Sequence, residues 1–168
     1  MKRFIFLITT LVLMCTLVSC GRSTANSTTE PSQPTTQESN TTTQTNEDDE
    51  LMNKTLTLKI GNNEVSVNWL DNDSVTALKE LAKDGLTINM SKYGGFEQVG
   101  SIGTTITSAD SRITTNPGDI VLYSSNQIVI FYDSNTWSYT KLGHINLSKG
   151  ELTDLLGDED VTITISLK

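Results

Sequence analysis

The feature that most constrains the fold is the strict two-residue alternation of apolar and polar residues in several short runs. TLTLKI (55–60) and EVSVNW (64–69) alternate on either side of Gly61-Asn62-Asn63, and VTITISLK (161–168) ends the chain in the same way. This alternation predicts half-buried β-strands, and the short Gly/Asn connection predicts a hairpin. The chain should therefore be mainly β.

Two segments change to a helical period. In DNDSVTALKELAKDG (71–85), apolar residues recur every three to four positions, and Ser148-Lys149-Gly150-Glu151 forms a capping box for a short helix through Leu156. Further strands are predicted at 86–90, 112–115, 119–123, 127–132 and 138–146. Many short strands with one or two helices favour a closed or nearly closed β-barrel with the helices over its ends.

The N-terminus predicts export from the cytoplasm. Lys2 and Arg3 precede an apolar run that is too short for a spanning helix, and small residues follow it, as in a secretory signal. Leu17-Val18-Ser19-Cys20 matches the lipobox of bacterial lipoproteins, in which the cysteine receives a diacylglyceryl group and becomes the first mature residue. We therefore expect a signal peptide at 1–19 and lipidation at Cys20, against the alternative of an unlipidated exported protein with an incidental cysteine.

The segment 21–50 contains no leucine, isoleucine, valine or aromatic residue. Such a chain cannot bury enough apolar surface to offset its conformational entropy, so residues 20–50 are expected to form a disordered tether with a reach of about 30 Å. The folded domain should span 54–168. The expected location is outside the cytoplasmic membrane, anchored by lipid, and the composition of the tether favours a Gram-positive source.

Charge and cysteine content exclude several classes of function. From Leu51 onward there are nine basic and fourteen acidic residues, a net charge of −5, so no basic surface for nucleic acid is expected. Cys15 lies in the predicted signal and Cys20 in the lipobox, which leaves no disulfide or cysteine-ligated metal. Acidic residues show no EF-hand spacing or carboxylate pair, so neither a metal nor a cofactor is predicted.

Four glycines fall within ten positions, in SKYGGFEQVGSIG (91–103). A phosphate-binding loop would read GxxxxGK[ST], but here no Lys-Ser/Thr pair is present and the residues that follow are β-formers. Glycines in a strand region mark bulges, corners or close backbone approach. We therefore expect a segment that bends sharply within a sheet.

Three motifs resemble those of the compact bacterial cyclophilin-like domains, namely YGGFEQVGSIG, NPGDIVLYSSNQIVIFY and NTWSYTKLGHI. They occur in this order, and the resemblance covers nearly all of 55–145. The resemblance implies an eight-stranded barrel with helices at its two ends. It also implies that Gln127 and Trp137 match the family's Gln-Phe-Phe to Trp segment, with Val129 in place of a pocket-floor phenylalanine. Lys92 stands near the position of the family's catalytic arginine, and the pocket histidine has no counterpart.

Because these positions differ, the resemblance implies a barrel that binds a peptide segment or a small ligand without efficient catalysis. The alternatives are a weak peptidyl-prolyl isomerase, with Lys92 and Gln127 as its catalytic residues, and a structural accessory of a membrane complex. His144, the only histidine, is expected to be a strand residue. The predicted ligand-binding residues are Lys92, Tyr93, Phe96, Gln98, Tyr123 and Trp137, although each aromatic could instead belong to the core.

Overall fold

The computed structural model describes residues 50, 51 and 53–168. The predicted signal peptide, Cys20 and all of the tether except its last residue lie outside this range. In this part of the chain lie the helices α1 (Asp73–Leu81) and α2 (Lys149–Leu156) and the following ten strands: β1 (Leu56–Ile60), β2 (Asn63–Val65), β3 (Val67–Trp69), β4 (Leu86–Tyr93), β5 (Glu97–Ser101), β6 (Ser111–Thr114), β7 (Asp119–Tyr123), β8 (Gln127–Phe131), β9 (Thr136–Ile145) and β10 (Val161–Leu167).

The strands form one antiparallel sheet that nearly closes into a barrel. Their order is β2-β1-β10-β4-β5-β8-β7-β9-β3, and β6 pairs with β9 beside this path. The predicted hairpin is confirmed, with Leu58 opposite Val65 and Gly61 at φ +56° in the turn. The second predicted strand divides at Ser66, so that β2 pairs with β1 while β3 pairs with β9. The mainly β barrel is thus confirmed, with ten strands in place of the eight expected.

Side chains from around the barrel fill an inner core. It includes Leu58, Ile88, Ile120, Ile130 and Ile163, each at most 2% exposed. On β7 and β8 the alternate residues turn outward, and with Tyr139 of β9 they form a second, outer cluster of Val121, Val129, Phe131 and Tyr139. This explains why IVLY and IVIF are continuously apolar, since these two strands are covered on both faces.

Helices α1 and α2 begin at side-chain caps, and the cap of α2 is the capping box predicted from the sequence. The Asn72 side chain accepts a hydrogen bond from the Val75 amide, and α1 contributes Val75 and Leu78 to the inner core. At α2, Ser148 and Glu151 form both hydrogen bonds of the capping box. The helix then buries Leu152 and Leu156 in the inner core, as its apolar spacing requires.

The glycine segment forms a tight turn between two paired strands. Gly94 and Gly95 have φ +60° and +75°, a conformation that residues with a Cβ rarely adopt, and they reverse the chain between β4 and β5. Gly100 lies within β5, where a Cβ would come within 2.5 Å of Ile88 Cγ2 and Met90 Sδ. The expected sharp bend within a sheet is therefore present, and it is followed by a close approach to neighbouring side chains.

No helix in the part of the chain that the structure describes is both long and apolar enough to cross a membrane.

Candidate functional site

An open cleft of about 520 Å³ lies on the outer face of the barrel, beside the outer cluster. It combines four aromatic side chains with two valines, two amides and one carboxyl group. The residues that line it are Tyr93, Glu97, Val99, Tyr123, Gln127, Val129, Asn135, Trp137 and Tyr139.

Strand register brings these residues to one face. Tyr93 on β4 lies opposite Glu97 on β5, and Val99 lies opposite Val129 on β8. Because directly paired residues of antiparallel strands point to the same side of the sheet, the turn at Gly94-Gly95 determines which residues of β5 face the cleft. The long β9 supplies Trp137 and Tyr139 from the other side.

Aromatic rings form most of the wall. Tyr123 and Tyr139 pack edge to face with centroids 5.8 Å apart, and Tyr139 packs in the same way on Phe131 at 5.6 Å. The Tyr139 hydroxyl accepts a hydrogen bond from Asn135 Nδ2 at 3.0 Å, which fixes both side chains. Tyr93 and Trp137 are instead 65% and 54% exposed, so the cleft has a rigid wall and two accessible aromatic rings.

A single carboxyl group lies among these rings. Glu97 is only 6% exposed, and its Oε2 is buried with no hydrogen-bond partner. Removal from water disfavours the ionised form, and this raises the pKa of Glu97 from 4.5 to about 7. Burial and the nearby charge of Glu97 also raise the pKa values of the Tyr132 and Tyr139 hydroxyls. The cleft thus contains an unpaired acid whose charge changes near neutral pH.

The model of the cyclophilin-like family matches residues 58–166, from β1 to β10. The chain belongs to the cyclophilin-like family. No curated protein and no solved structure gives a significant match. The matched region contains every residue of the cleft, so the cleft is part of the cyclophilin-like domain itself. The family and the barrel that the sequence motifs implied are confirmed.

The structure brings together four of the residues predicted for the two kinds of site. Tyr93, Tyr123 and Trp137 from the ligand-binding set line the cleft, together with Gln127 from the isomerase pair. Phe96 lies at its edge, where it is half-buried against the outer cluster and its ring covers Gly94. This arrangement leaves Phe96 as a packing residue beside the cleft.

Lys92 and Gln98 lie on the opposite face of the sheet from Tyr93 and Glu97. They are strand partners of each other, and both contact the segment that joins α2 to β10. Gln98 is fully buried, and its Nε2 donates hydrogen bonds of 2.7 Å to the carbonyl oxygens of Leu156 and Glu159. Lys92 Nζ lies 3.4 Å from the Asp158 carbonyl oxygen. Their contacts stabilise the end of α2, and neither residue lines the cleft.

Four lining residues were not predicted from the sequence: Glu97, Val99, Asn135 and Tyr139. The sequence contained one indication of Glu97. It is an acidic residue in FEQVG, between Phe96 and Val99, and acidic residues are uncommon in strands. Val129, in contrast, lines the cleft at the position where the resemblance places the pocket-floor phenylalanine. Val99, Asn135 and Tyr139 reach the cleft only through the pairing of β5 with β8, of β8 with β7 and of β7 with β9.

His144 belongs to a separate polar cluster on β7 and β9. Asp119, 1% exposed, accepts hydrogen bonds from His144 Nδ1 at 2.8 Å and Lys141 Nζ at 2.9 Å, and from the Asn116 amide. Burial alone would raise the pKa of Asp119, but these hydrogen bonds and the Lys141 charge lower it. Within residues 50, 51 and 53–168, no three histidine, cysteine, aspartate or glutamate side chains are arranged to hold a metal ion.

Proposed function

We propose that this protein is an extracytoplasmic lipoprotein, anchored in the membrane through Cys20, whose cyclophilin-like barrel binds a peptide segment or small ligand without efficient catalysis. The observation that carries the binding role is the outer cleft, with Tyr93 and Trp137 exposed on it above a largely apolar base. The lipobox Leu17-Val18-Ser19-Cys20 and the polar segment that follows it support the anchoring role.

The cleft has the composition of a binding site for an extended or small ligand. Two large exposed aromatic rings provide contact area at little cost in conformational entropy, and amide groups beside them offer hydrogen bonds. Gln127 and Asn135 are the amide side chains, and both line the cleft. A ligand placed there would cover Tyr93 and Trp137, whose exposed apolar surface is unfavourable in water.

The lining residues also support binding without efficient isomerisation. Rotation about a prolyl amide must overcome a barrier of about 18–20 kcal/mol, and a fixed hydrogen-bond donor to the twisted amide lowers it. None of the nine described lining residues is an arginine or a lysine, and Lys92 lies on the opposite face of the sheet. A cationic donor is therefore absent from this part of the site.

Titration with peptides tests the binding role. Proline-containing and proline-free peptides should give saturable NMR shift changes at cleft residues, with affinity reduced at least tenfold in Tyr93→Ala and Trp137→Ala. Both side chains are more than half exposed, so their removal should leave the fold intact. Leu70→Ala is the matched control, because Leu70 is also an exposed large apolar residue but does not line the cleft. Equal losses in all three variants, or no binding at all, would exclude this cleft as the binding site.

A weak prolyl isomerase is the second candidate, supported by the presence of Gln127 and Trp137 in the same cleft. It predicts faster refolding of a substrate protein whose folding is limited by proline isomerisation. The acceleration should be lost in Gln127→Ala and retained in Leu70→Ala. A refolding rate equal to the uncatalysed rate would rule out this activity.

Anchoring is tested separately from ligand binding. Cys20→Ala should release the protein to the medium or leave it unprocessed, because the substitution removes the thiol that would be acylated. Cell fractionation and mass spectrometry of the mature N-terminus measure these outcomes. Normal processing with unchanged membrane retention in the variant would contradict lipidation at Cys20.

A further inference from the structure

We propose that the outer cleft recognises an organic ammonium group, with Glu97 as its counter-ion and the surrounding aromatic rings as its walls. This inference rests on the proposed binding function and adds the chemical class of the ligand. The ammonium group could belong to a peptide, as a lysine side chain, or to a free small amine.

The first argument is the state of the Glu97 carboxyl group. A carboxylate is costly to bury unless it is paired and hydrogen-bonded, yet Oε2 has no partner in the described structure. Glu97 is also the only carboxyl group among the lining residues of the cleft, and no basic side chain lines it. A ligand that brings a positive charge and N–H donors would supply what this oxygen lacks.

The second argument is the type of wall. An ammonium group is attracted to the face of tyrosine and tryptophan rings, most strongly where water is excluded. Tyr93, Tyr123, Trp137 and Tyr139 all line the same cleft as Glu97. A carboxylate surrounded by several aromatic rings is poorly suited to an anionic ligand. In an amine, the ammonium group would pair with the carboxylate, and the alkyl chain would pack against the rings.

The third argument concerns pH. Because the pKa of Glu97 is raised to about 7, the carboxyl group of the empty cleft is largely protonated at pH 6 and largely ionised at pH 8. A cation binds the ionised form, so its affinity should rise with pH, by about tenfold between pH 6 and pH 8. A ligand that instead accepted a hydrogen bond from the protonated acid would bind more weakly as the pH rises.

The groups that face Glu97 do not reverse this expectation. Tyr93 lies opposite it on β4, and the pKa values of Tyr132 and Tyr139 are raised. Asp133, in the loop after β8, is paired with Lys149, and its pKa is lowered, so it remains ionised over this pH range.

Two further groups lie on strands that do not pair with β5, the strand of Glu97. Arg112 on β6 alternates with Ile113, which packs on the outer cluster, so the arginine points away from that cluster. The cluster of Asp119, Lys141 and His144 lies beyond β8, the strand that carries Phe131 opposite Glu97. His144→Gln is included as a control because it removes the only histidine of the chain and leaves the cleft unchanged.

The experiment compares two capped peptides that differ in one group, Ac-Gly-Lys-Gly-NH₂ and its norleucine counterpart, by NMR titration at pH 6 and pH 8. At pH 8 the lysine peptide should bind at least tenfold more tightly than the norleucine peptide. Glu97→Gln should abolish this preference, whereas His144→Gln should retain it together with the pH dependence. Butylammonium and 1-butanol, titrated in parallel, show whether a free amine is sufficient.

Several outcomes would overturn the inference. Equal affinities of the lysine and norleucine peptides would refute ammonium recognition. If Trp137→Ala then weakens the binding of both peptides, the cleft is still the binding site. Binding of neither peptide, nor of the two butyl probes, would refute ammonium recognition, and the titration with proline-containing and proline-free peptides would then decide whether the cleft binds a ligand at all. If Glu97→Gln does not fold, the wild-type protein still tests the proposal through the pH dependence of its affinity for the lysine peptide. An affinity that is constant or falls from pH 6 to pH 8 would contradict the proposal.

Discussion

Replacement of Glu97 by glutamine should stabilise the protein at neutral and alkaline pH. The carboxyl group is 6% exposed and lacks a partner for Oε2, so the folded state favours the protonated acid while the unfolded chain ionises it at its ordinary pKa. Glutamine has nearly the same shape as the protonated acid and does not ionise. The substitution therefore removes the cost of burying a negative charge and leaves the packing of the cleft in place.

The direction of the pH effect follows from the raised pKa. Since the pKa of Glu97 in the folded state is about 7 and the ordinary value is 4.5, its contribution to stability is fully present below about pH 4.5 and is lost as the pH rises through 7. At about 1.4 kcal/mol for each pKa unit, the total loss is about 3 kcal/mol. The advantage of Glu97→Gln over the wild type should thus widen by about 2.5 kcal/mol between pH 5 and pH 8.

Urea unfolding at pH 5, 6, 7 and 8 measures this difference. With an m-value of about 1–3 kcal/mol/M, the gap between the two unfolding midpoints should grow by about 0.8–2.5 M over this range. Glu64→Gln is the matched control, because Glu64 is exposed on β2 and its replacement should produce no widening gap. Parallel pH profiles of wild type and Glu97→Gln would refute the argument that the cleft holds a destabilised carboxyl group.

Two further substitutions test the polar groups outside the cleft. Asp119→Asn should lower the free energy of unfolding by about 2 kcal/mol at neutral pH, because it removes a buried charge that pairs with the partly exposed Lys141 and His144. Since the pKa of Asp119 is lowered, this stabilisation is present above pH 3.8 and is lost as the pH falls through the folded-state value, so the wild type and Asp119→Asn should converge in acid. An undiminished gap in acid would contradict that assignment. Gln98→Leu should cost about 2–3 kcal/mol in thermal or urea unfolding, because it leaves two carbonyl oxygens at the end of α2 without their donor, and a loss below about 0.5 kcal/mol would show that water replaces it.

The proposed role of Glu97 in ligand binding would explain why the protein keeps a buried carboxyl group that lowers its stability. Natural proteins commonly keep unfavourable charges where binding or catalysis needs them, at a cost in stability. If Glu97→Gln both stabilises the fold and abolishes the preference for a lysine peptide, one residue would account for both effects. The two measurements are independent, so either can fail without the other.

Local sequence patterns determined the individual elements of this protein. Alternation in 55–60 and 161–168 defines two strands, and Gly61 provides the turn of the first hairpin. Ser148 and Glu151 fix the start of α2 through contacts three residues apart. These features depend on neighbours along the chain, so no knowledge of the rest of the fold is needed to predict them. The order of motifs in 93–145 was also sufficient to indicate the family.

Tertiary structure alone decided which residues face the cleft. A strand sends successive side chains to opposite faces, so a shift of one residue exchanges the whole set. Lys92 and Gln98 were predicted to belong to the site, but the register of the β4–β5 hairpin places both on the other face and brings Glu97 beside Tyr93. Both faces of this sheet are partly covered, by the inner core on one side and the outer cluster on the other. Hydrophobicity along the chain therefore could not distinguish the two faces, and only the pairing of strands distant in sequence did.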